Sequence, residues 1–116
     1  MLSQKHRFHR RNQLAYVHRK GHSLRGDQIS LRFLNSLDNE SYRVAVVVSR
    51  KVSKKAVTRN RIRRRVYEII RTLDPPLRND VDLIISVFDD SVAEMEHSKL
   101  SQELTALIDR AGIRDE

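Results

Sequence analysis

The spacing of apolar residues changes twice between residues 42 and 88, and this change restricts the fold more than any other feature of the sequence. Residues 42–49 alternate with a period of two, which is typical of a strand. Residues 59–73 place their apolar side chains on one helical stripe. Residues 81–88 are apolar at nearly every position, which indicates a strand covered on both faces. A strand, a helix and a further strand in this order predict helices packed on a sheet.

A short helix is predicted over residues 10–20, before these segments. Leu14 and Val17 fall on one side of it, with His18 beside them. Gly21 follows directly, and we expect it to take the left-handed conformation that ends many helices.

Residues 28–34 also alternate with a period of two and predict another strand. A polar turn at residues 35–41 separates this strand from the one at residues 42–49. A hairpin is therefore the simplest connection between the two strands.

A last helix is predicted near the end of the chain, with Gly112 as its stop. It begins either at Ser91, which forms a capping-box pattern with Glu94, or near Glu96. Its apolar stripe consists of Leu100, Leu104, Leu107, Ile108 and Ala111. The whole chain, residues 1–116, is expected to form one α+β domain, a two-layer α/β sandwich in the order α-β-β-(β)-α-β-α with a basic crossover helix.

The composition excludes several classes of protein. There is no cysteine, so a disulfide framework and a thiolate zinc site are both excluded. No stretch approaches the roughly 20 apolar residues of a membrane-spanning helix, and the first residues lack the apolar segment of a secretory signal. We therefore expect a soluble cytoplasmic protein. His6 and His9 lie three positions apart without a carboxylate partner, so no metal site is predicted.

The charges are distributed unevenly along the chain. Residues 1–71 contain 19 of the 23 Lys and Arg residues and only four acids, whereas residues 72–116 contain four bases and 11 acids. Such a division predicts one surface for a polyanion and another that does not contact it. A basic helix on an anionic membrane is the competing interpretation. It usually carries exposed Trp, Phe or Leu, but this chain has no Trp and its nearby apolar residues fit a core face.

The strongest concentration of positive charge lies at residues 50–65. A helix face that only contacts solvent usually mixes both signs, whereas no acid interrupts this run. Phosphate groups of a nucleic acid would supply the missing counter-charge. The predicted nucleic-acid-binding residues are Arg50, Lys51, Lys54, Lys55, Arg59, Asn60, Arg61, Arg63, Arg64 and Arg65.

Helical geometry divides this run into an inner and an outer side. Asn60, Arg64, Tyr67 and Arg71 share the side opposite the apolar stripe and are predicted to face outward. Asn60 either contacts a ribose or a base edge or caps the helix, and both interpretations are open. For Thr58, which directly precedes the predicted helix, capping is favoured.

Residues 48–64 read V-S-R-K-V-S-K-K-A-V-T-R-N-R-I-R-R, which closely resembles the signature of the bacterial ribonuclease P protein subunit. That signature runs V-S-K-K, a few residues, A-V, one residue, then R-N-R-I-K-R. Arg7-Phe8, Gly21 and the chain length also agree with the family. The resemblance implies an α/β sandwich whose basic helix makes a left-handed βαβ crossover, against the usual right-handed rule.

The resemblance also implies a function. Family members bind a catalytic RNA and help it remove the 5′ leader from precursor tRNA. The phosphodiester is hydrolysed with Mg²⁺ ions held mainly by the RNA, so no catalytic residue is expected in this chain. The expected partners are the catalytic RNA and precursor tRNA, with no membrane and no small-molecule substrate. A monomer is expected in the free state.

Residue by residue, the resemblance assigns RNA contact to Arg59, Asn60, Arg61, Arg63 and Arg64, preceded by the pair Arg50 and Lys51. It further implies a cleft for the single-stranded leader, lined here by Leu14, Val17, His18, Arg32 and Val47. The family commonly has Phe at the first and third of these positions and often an aromatic residue at the fourth. Base stacking worth about 1–3 kcal/mol per base is therefore reduced or absent in this cleft. Ordinary core packing is the alternative for Leu14 and Val17.

Two other classes of nucleic-acid-binding protein share the basic helix. One is an RNA-binding protein without a role in cleavage, for example a ribosome-associated protein. The other is a DNA-binding module, which predicts a dimer on two half-sites, and the sequence shows no dimer seam.

Overall fold

A computed structural model describes residues 2–8, 11–36 and 39–115. His9, the first predicted helix residue Arg10, and residues 37 and 38 of the predicted turn lie outside this described part. The helices are α1 (Arg11–Lys20), α2 (Ala56–Arg71) and α3 (His97–Ala111). The strands are β1 (His22–Arg25), β2 (Ile29–Asn35), β3 (Arg43–Val48) and β4 (Val81–Val87). Two short 3₁₀ turns span Gln4–His6 and Asp90–Ala93.

The four strands form one sheet in the order β1-β2-β4-β3. β2 is antiparallel to both β1 and β4, whereas β3 and β4 are parallel. The predicted hairpin between residues 28–34 and 42–49 is therefore wrong, because β4 lies between β2 and β3. β4 is the most buried strand, because it has a neighbouring strand on each edge and is covered on both faces. α2 connects the parallel strands β3 and β4, which is the predicted crossover, and its left-handed sense stays a prediction.

The main core lies on one face of the sheet, beneath α2 and α3. β4 directs Leu83 and Ile85 to this face, and both are buried. The helices contribute Ile62, Val66, Ile69, Ile70, Leu100, Leu104, Leu107 and Ile108, all of them buried. The predicted helical stripes and the α+β class are thereby confirmed, since the same residues join in one apolar cluster.

α1 lies on the other face of the sheet, where it contacts β2 and β4. Val17 is fully buried there but does not belong to the main core cluster. Ile84 alternates with Leu83 and Ile85 along β4 and is also fully buried. The sandwich of sheet and helices thus carries an additional helix on its second face.

Several element ends differ from the sequence-based predictions. α2 begins at Ala56, with Lys55 as a cap residue whose side chain forms no capping hydrogen bond. Thr58 and Asn60 therefore lie inside the helix, and the capping interpretations of both are wrong. β1 was not predicted, because its four residues show no apolar alternation and it is mostly exposed.

Gly112 has φ 68°, in the left-handed region, and ends α3 as predicted. No positive φ occurs at Gly21, so the left-handed conformation predicted there is wrong. Gly21 instead permits close packing, since a Cβ atom at this position would lie 2.5 Å from the Val17 carbonyl oxygen and 2.9 Å from that of Phe33. α3 begins after Glu96, so the alternative start at Ser91 is wrong.

Candidate nucleic-acid interface

The loop between β3 and α2 is folded so that its cations point outward. The Val52 amide donates to the Ser49 carbonyl at 3.1 Å, and the Val52 side chain packs against the core. Arg59 of α2 donates to the Ser53 carbonyl at 2.8 Å and ties the loop to the helix. One shallow depression is lined by Arg50, Lys51, Lys54 and Arg59. A tight turn with one partly buried apolar residue, together with the start of α2, therefore gathers four cations around a concave surface.

The first turns of α2 continue this surface. Arg63 donates to the Oδ1 atom of Asn60, which leaves the amide nitrogen of Asn60 available for a ligand. Arg64 is exposed and has no hydrogen bond or ion pair within the part of the chain that the structure describes. We call the surface formed by the exposed residues Arg50, Lys51, Lys54, Lys55, Asn60 and Arg64 the basic face.

Two further predicted binding residues, Arg61 and Arg65, donate to the segment that follows β4. Arg65 donates from Nη1 to the carbonyl oxygens of Val92 at 2.6 Å and Ala93 at 3.0 Å, and from Nη2 to the carbonyl of Met95. Arg61 donates to the Ala93 carbonyl at 3.0 Å and lies 3.6 Å from the carboxylate of Glu94. Both side chains hold the segment that follows β4 against α2. Their assignment to RNA stays a prediction, although the donors of Arg65 are engaged within the fold.

Tyr67 does not face outward, contrary to the prediction. Its hydroxyl oxygen accepts a hydrogen bond from the Val46 amide at 3.1 Å, and its ring packs beside the core. β3 is an edge strand, so this amide has no neighbouring strand on that side, and Tyr67 supplies the missing acceptor. Helical spacing alone could not show this, because the acceptor is required by a distant strand.

Near the C-terminal end of α2, Arg71 forms an ion pair with Glu68, and the basic face does not extend beyond this pair. Arg71 Nε donates to Glu68 Oε2 at 3.0 Å, and a second nitrogen contacts the other carboxylate oxygen. The hydrogen bond from Arg71, reinforced by its charge, lowers the pKa of the Glu68 carboxyl below its usual value. The charge of Arg71 is thus largely balanced within the helix.

Val57 is an apolar residue among these cations that was not predicted to be functional. It is 77% exposed, more than any other large apolar side chain among the described residues. Its position off the stripe of Ile62 and Val66 could have revealed this exposure, because helical spacing places it on another side.

The five predicted cleft residues lie on or beside α1 and the sheet face beneath it. Arg32 and Val47 lie on the same face of the sheet. Ile84 pairs with Arg32 on one side and with Ala45 on the other, and Val47 is two positions after Ala45 and therefore on the same face. Val47 is 41% exposed, so part of this face is open.

α1 supplies the other three residues of this set. Val17 is fully buried, Leu14 is half-buried and His18 is exposed. The Nε atom of Arg32 donates to the Val17 carbonyl at 3.3 Å, which joins the sheet to α1. The burial of Val17 agrees with core packing, and the role of the set in leader binding stays a prediction.

A family model described as Ribonuclease P matches residues 2–112. The chain belongs to the ribonuclease P protein family. It is 39% identical over 87 residues to the ribonuclease P protein component of a Pseudanabaena species, with 75% of each chain covered. It is 35% identical over 111 residues to that of Synechococcus elongatus, which covers 93% of this chain and 91% of the relative.

Solved structures of the family share the fold. The ribonuclease P protein of Staphylococcus aureus superimposes with a TM-score of 0.82 at 21% identity, covering 95% of this chain and 98% of that one. The Thermotoga maritima protein gives a TM-score of 0.76 at 24% identity, covering 90% of this chain and 96% of that one.

Within residues 2–8, 11–36 and 39–115, no group of three or more His, Cys, Asp or Glu side chains could hold a metal ion. His6 stacks on Tyr42 with ring centroids 3.8 Å apart, and its Nδ1 atom lies 2.9 Å from the Tyr42 carbonyl oxygen. None of the helices described combines the length and the apolar composition needed to cross a membrane.

Proposed function

We propose that this chain is the protein subunit of a bacterial ribonuclease P and that its basic face binds the catalytic RNA. The observation that carries this proposal is the one-sided face itself, in which Lys54 and Arg64 are exposed and form no ion pair with any acid that the structure describes. The names of the relatives support the assignment to this ribonucleoprotein.

Residues of the basic face contact different groups of the RNA according to their chemistry. Lysine and arginine contact phosphates and release the counterions condensed on the RNA, which makes binding depend on salt. Asn60 offers a donor to a ribose hydroxyl or a base edge. Val57 lies among these groups and offers an apolar contact for a sugar or a base. Arg61 and Arg65 act mainly by holding the segment at residues 90–95 in place.

Cleavage of the leader is assigned to the RNA partner. Mg²⁺ bound there would activate water and stabilise the developing charge on the phosphate. A face of cations suits phosphate and repels Mg²⁺, so the contribution of this chain is to bind and orient RNA. The open sheet face at Arg32 and Val47, beside α1, is proposed to receive the single-stranded leader.

Reconstitution tests the proposed function. The chain would be mixed with the catalytic RNA of a bacterial ribonuclease P and a precursor tRNA at low Mg²⁺ concentration. We expect faster removal of the 5′ leader than with the RNA alone. Binding without any gain in cleavage would instead favour a non-catalytic RNA-binding protein.

Variants test the role of the basic face in the same assay. The plot of log affinity against log salt concentration has a negative slope. Arg64→Gln and Lys54→Gln should each make this slope shallower by roughly 0.7–0.9, the amount expected for one lost phosphate contact. Arg110→Gln on the exposed side of α3 is the matched control and should leave the slope unchanged. Equal slopes for all four proteins would contradict the assignment.

A further inference from the structure

We propose that a groove on the Tyr16 side of α1 binds an unpaired RNA nucleotide, whose base stacks on the ring of Tyr16. This inference rests on the proposed function, since it requires that the chain binds RNA, and it adds a second contact surface to the basic face. The groove lies between α1 and the end of β2. Asn12, Tyr16 and Arg19 line it from the helix, and Leu34, Asn35 and Ser36 line it from the strand end. Its volume of about 680 Å³ is sufficient for a nucleotide.

The exposure of Tyr16 is the first observation that carries the proposal. Its side chain is 48% exposed, whereas Tyr42 is 7% exposed and Tyr67 uses its hydroxyl within the fold. The guanidinium carbon of Arg19 lies 5.6 Å from the centroid of the Tyr16 ring. An accessible ring beside a guanidinium group is the arrangement on which single-stranded nucleic acids stack their bases.

The electrostatics of the groove favour a phosphate-bearing ligand. α1 contains no acidic residue and carries Arg11, Arg19 and Lys20. The acid that the groove approaches, Asp82, is 4% exposed, and Arg43 binds both of its oxygens at 2.8 and 2.7 Å. A buried carboxylate neutralised in this way does not repel an incoming phosphate.

The polar groups of the groove fit the edge of a base. Asn12 and Asn35 are exposed, and each amide offers both a donor and an acceptor. In a duplex the bases are stacked within the helix, so the flat face of Tyr16 would meet only the backbone. An unpaired nucleotide presents a face for the ring and an edge for the amides at the same time.

The position of Tyr16 gives this groove added importance in this sequence. Leu14 and His18, on the cleft side of α1, are not Phe, Tyr or Trp. Tyr16 lies between them in sequence and, on a helix, projects about 200° away from each. The helix therefore offers its stacking ring to a different groove from the proposed leader cleft.

A tryptophan reporter tests stacking directly. The chain contains no tryptophan, so Tyr16→Trp introduces a single indole whose fluorescence is quenched when a base stacks on it. The variant would be titrated separately with precursor tRNA, leaderless tRNA and the catalytic RNA. Quenching by precursor alone would identify the leader as the source of the nucleotide, and quenching by the catalytic RNA would identify that RNA. Gln102→Trp on the exposed side of α3 is the control and should show no quenching.

Affinity measurements separate this inference from the proposed function. Tyr16→Leu should weaken binding of the RNA that quenches by roughly fivefold to a hundredfold, whereas Tyr16→Phe keeps the ring and should bind nearly as wild type. Thermal unfolding of both variants checks that the fold is intact. If Arg64→Gln weakens binding while Tyr16→Leu does not, and no RNA quenches the introduced indole, the groove is overturned and the basic face stands. If the wild-type chain binds none of the three RNAs, the proposed function itself fails.

Discussion

Arg64 and Arg65 are neighbours in the sequence, yet the structure predicts opposite effects for their replacement. Arg65 donates to the carbonyls of Val92, Ala93 and Met95, whereas Arg64 points to solvent. Replacement of Arg65 by methionine keeps the aliphatic volume but leaves the Val92 and Met95 carbonyls without this donor, whereas the Ala93 carbonyl keeps Arg61. Charged hydrogen bonds of this kind contribute about 1.5–3 kcal/mol each, and water can compensate part of the loss. We therefore expect Arg65→Met to lower the free energy of unfolding by roughly 3 kcal/mol.

The expected change in melting temperature follows from the chain length. Unfolding entropy of about 2.1 cal/mol/K per residue gives roughly 0.24 kcal/mol/K for the 116 residues. A loss of about 3 kcal/mol thus lowers Tm by roughly 12 °C, measured by calorimetry or circular dichroism. Arg64→Met is the matched control and should change Tm by less than about 2 °C, since exposed substitutions usually change stability by under about 0.5 kcal/mol.

RNA binding completes the comparison, at a temperature where both variants are folded. Arg64→Met should reduce the salt slope of binding by roughly one phosphate contact, whereas Arg65→Met should leave the slope unchanged. Equal melting temperatures for the two variants would refute the structural role of Arg65. A salt slope that falls equally in both would show that Arg65 also contacts phosphate.

Three further substitutions probe other parts of the fold. Tyr67→Phe removes the acceptor for the Val46 amide and should lower the unfolding free energy by about 1–2 kcal/mol in denaturant titration; no change would show that water replaces the hydroxyl. Gly21→Ala should destabilise by more than about 2 kcal/mol, because the added Cβ would lie 2.5 Å from a carbonyl oxygen of α1, and an unchanged Tm would contradict this close packing. Arg71 lowers the pKa of Glu68 from 4.5, so the stability from this pair is present above that value and is lost as the pH falls through the folded pKa. Arg71→Gln should return the pKa towards 4.5 in an NMR titration, and an unmoved pKa would exclude Arg71 as the cause.

Periodicity predicted the parts of the fold that depend on local spacing. The stripes of α2 and α3 and the strand β4, apolar at nearly every position and buried on both faces, were predicted correctly, because the side of a helix or strand that is buried follows from its own residues. The pairing of β2 with β3 was wrong, because a short polar turn favours a hairpin but does not exclude insertion of a later strand. Strand order depends on contacts between residues far apart in the chain, and no local pattern records them.

The candidate site shows the same division. The cationic run and the exposure of Arg64 could be read from charge and helical spacing. The engagement of Arg65 and Tyr67 could not, because their partners lie in the segment after β4 and in an edge strand. The groove at Tyr16 could not be predicted either, because it forms only where the end of β2 lies against α1 in the folded chain.

The central place of β4 has a consequence for how the chain acquires its shape. β4 is the last strand to be synthesised, yet it is the one that joins β2 to β3. Until it is available, β3 has no partner in the sheet and α2 has no completed surface on which to pack. Any direct pairing of β2 with β3 must be undone before β4 can enter, and contacts over such long sequence distances slow folding. In a newly made chain the cations of residues 50–65 are therefore exposed before the sheet is complete. A polyanion that neutralises them at that stage would reduce the charge repulsion that opposes completion of the sheet.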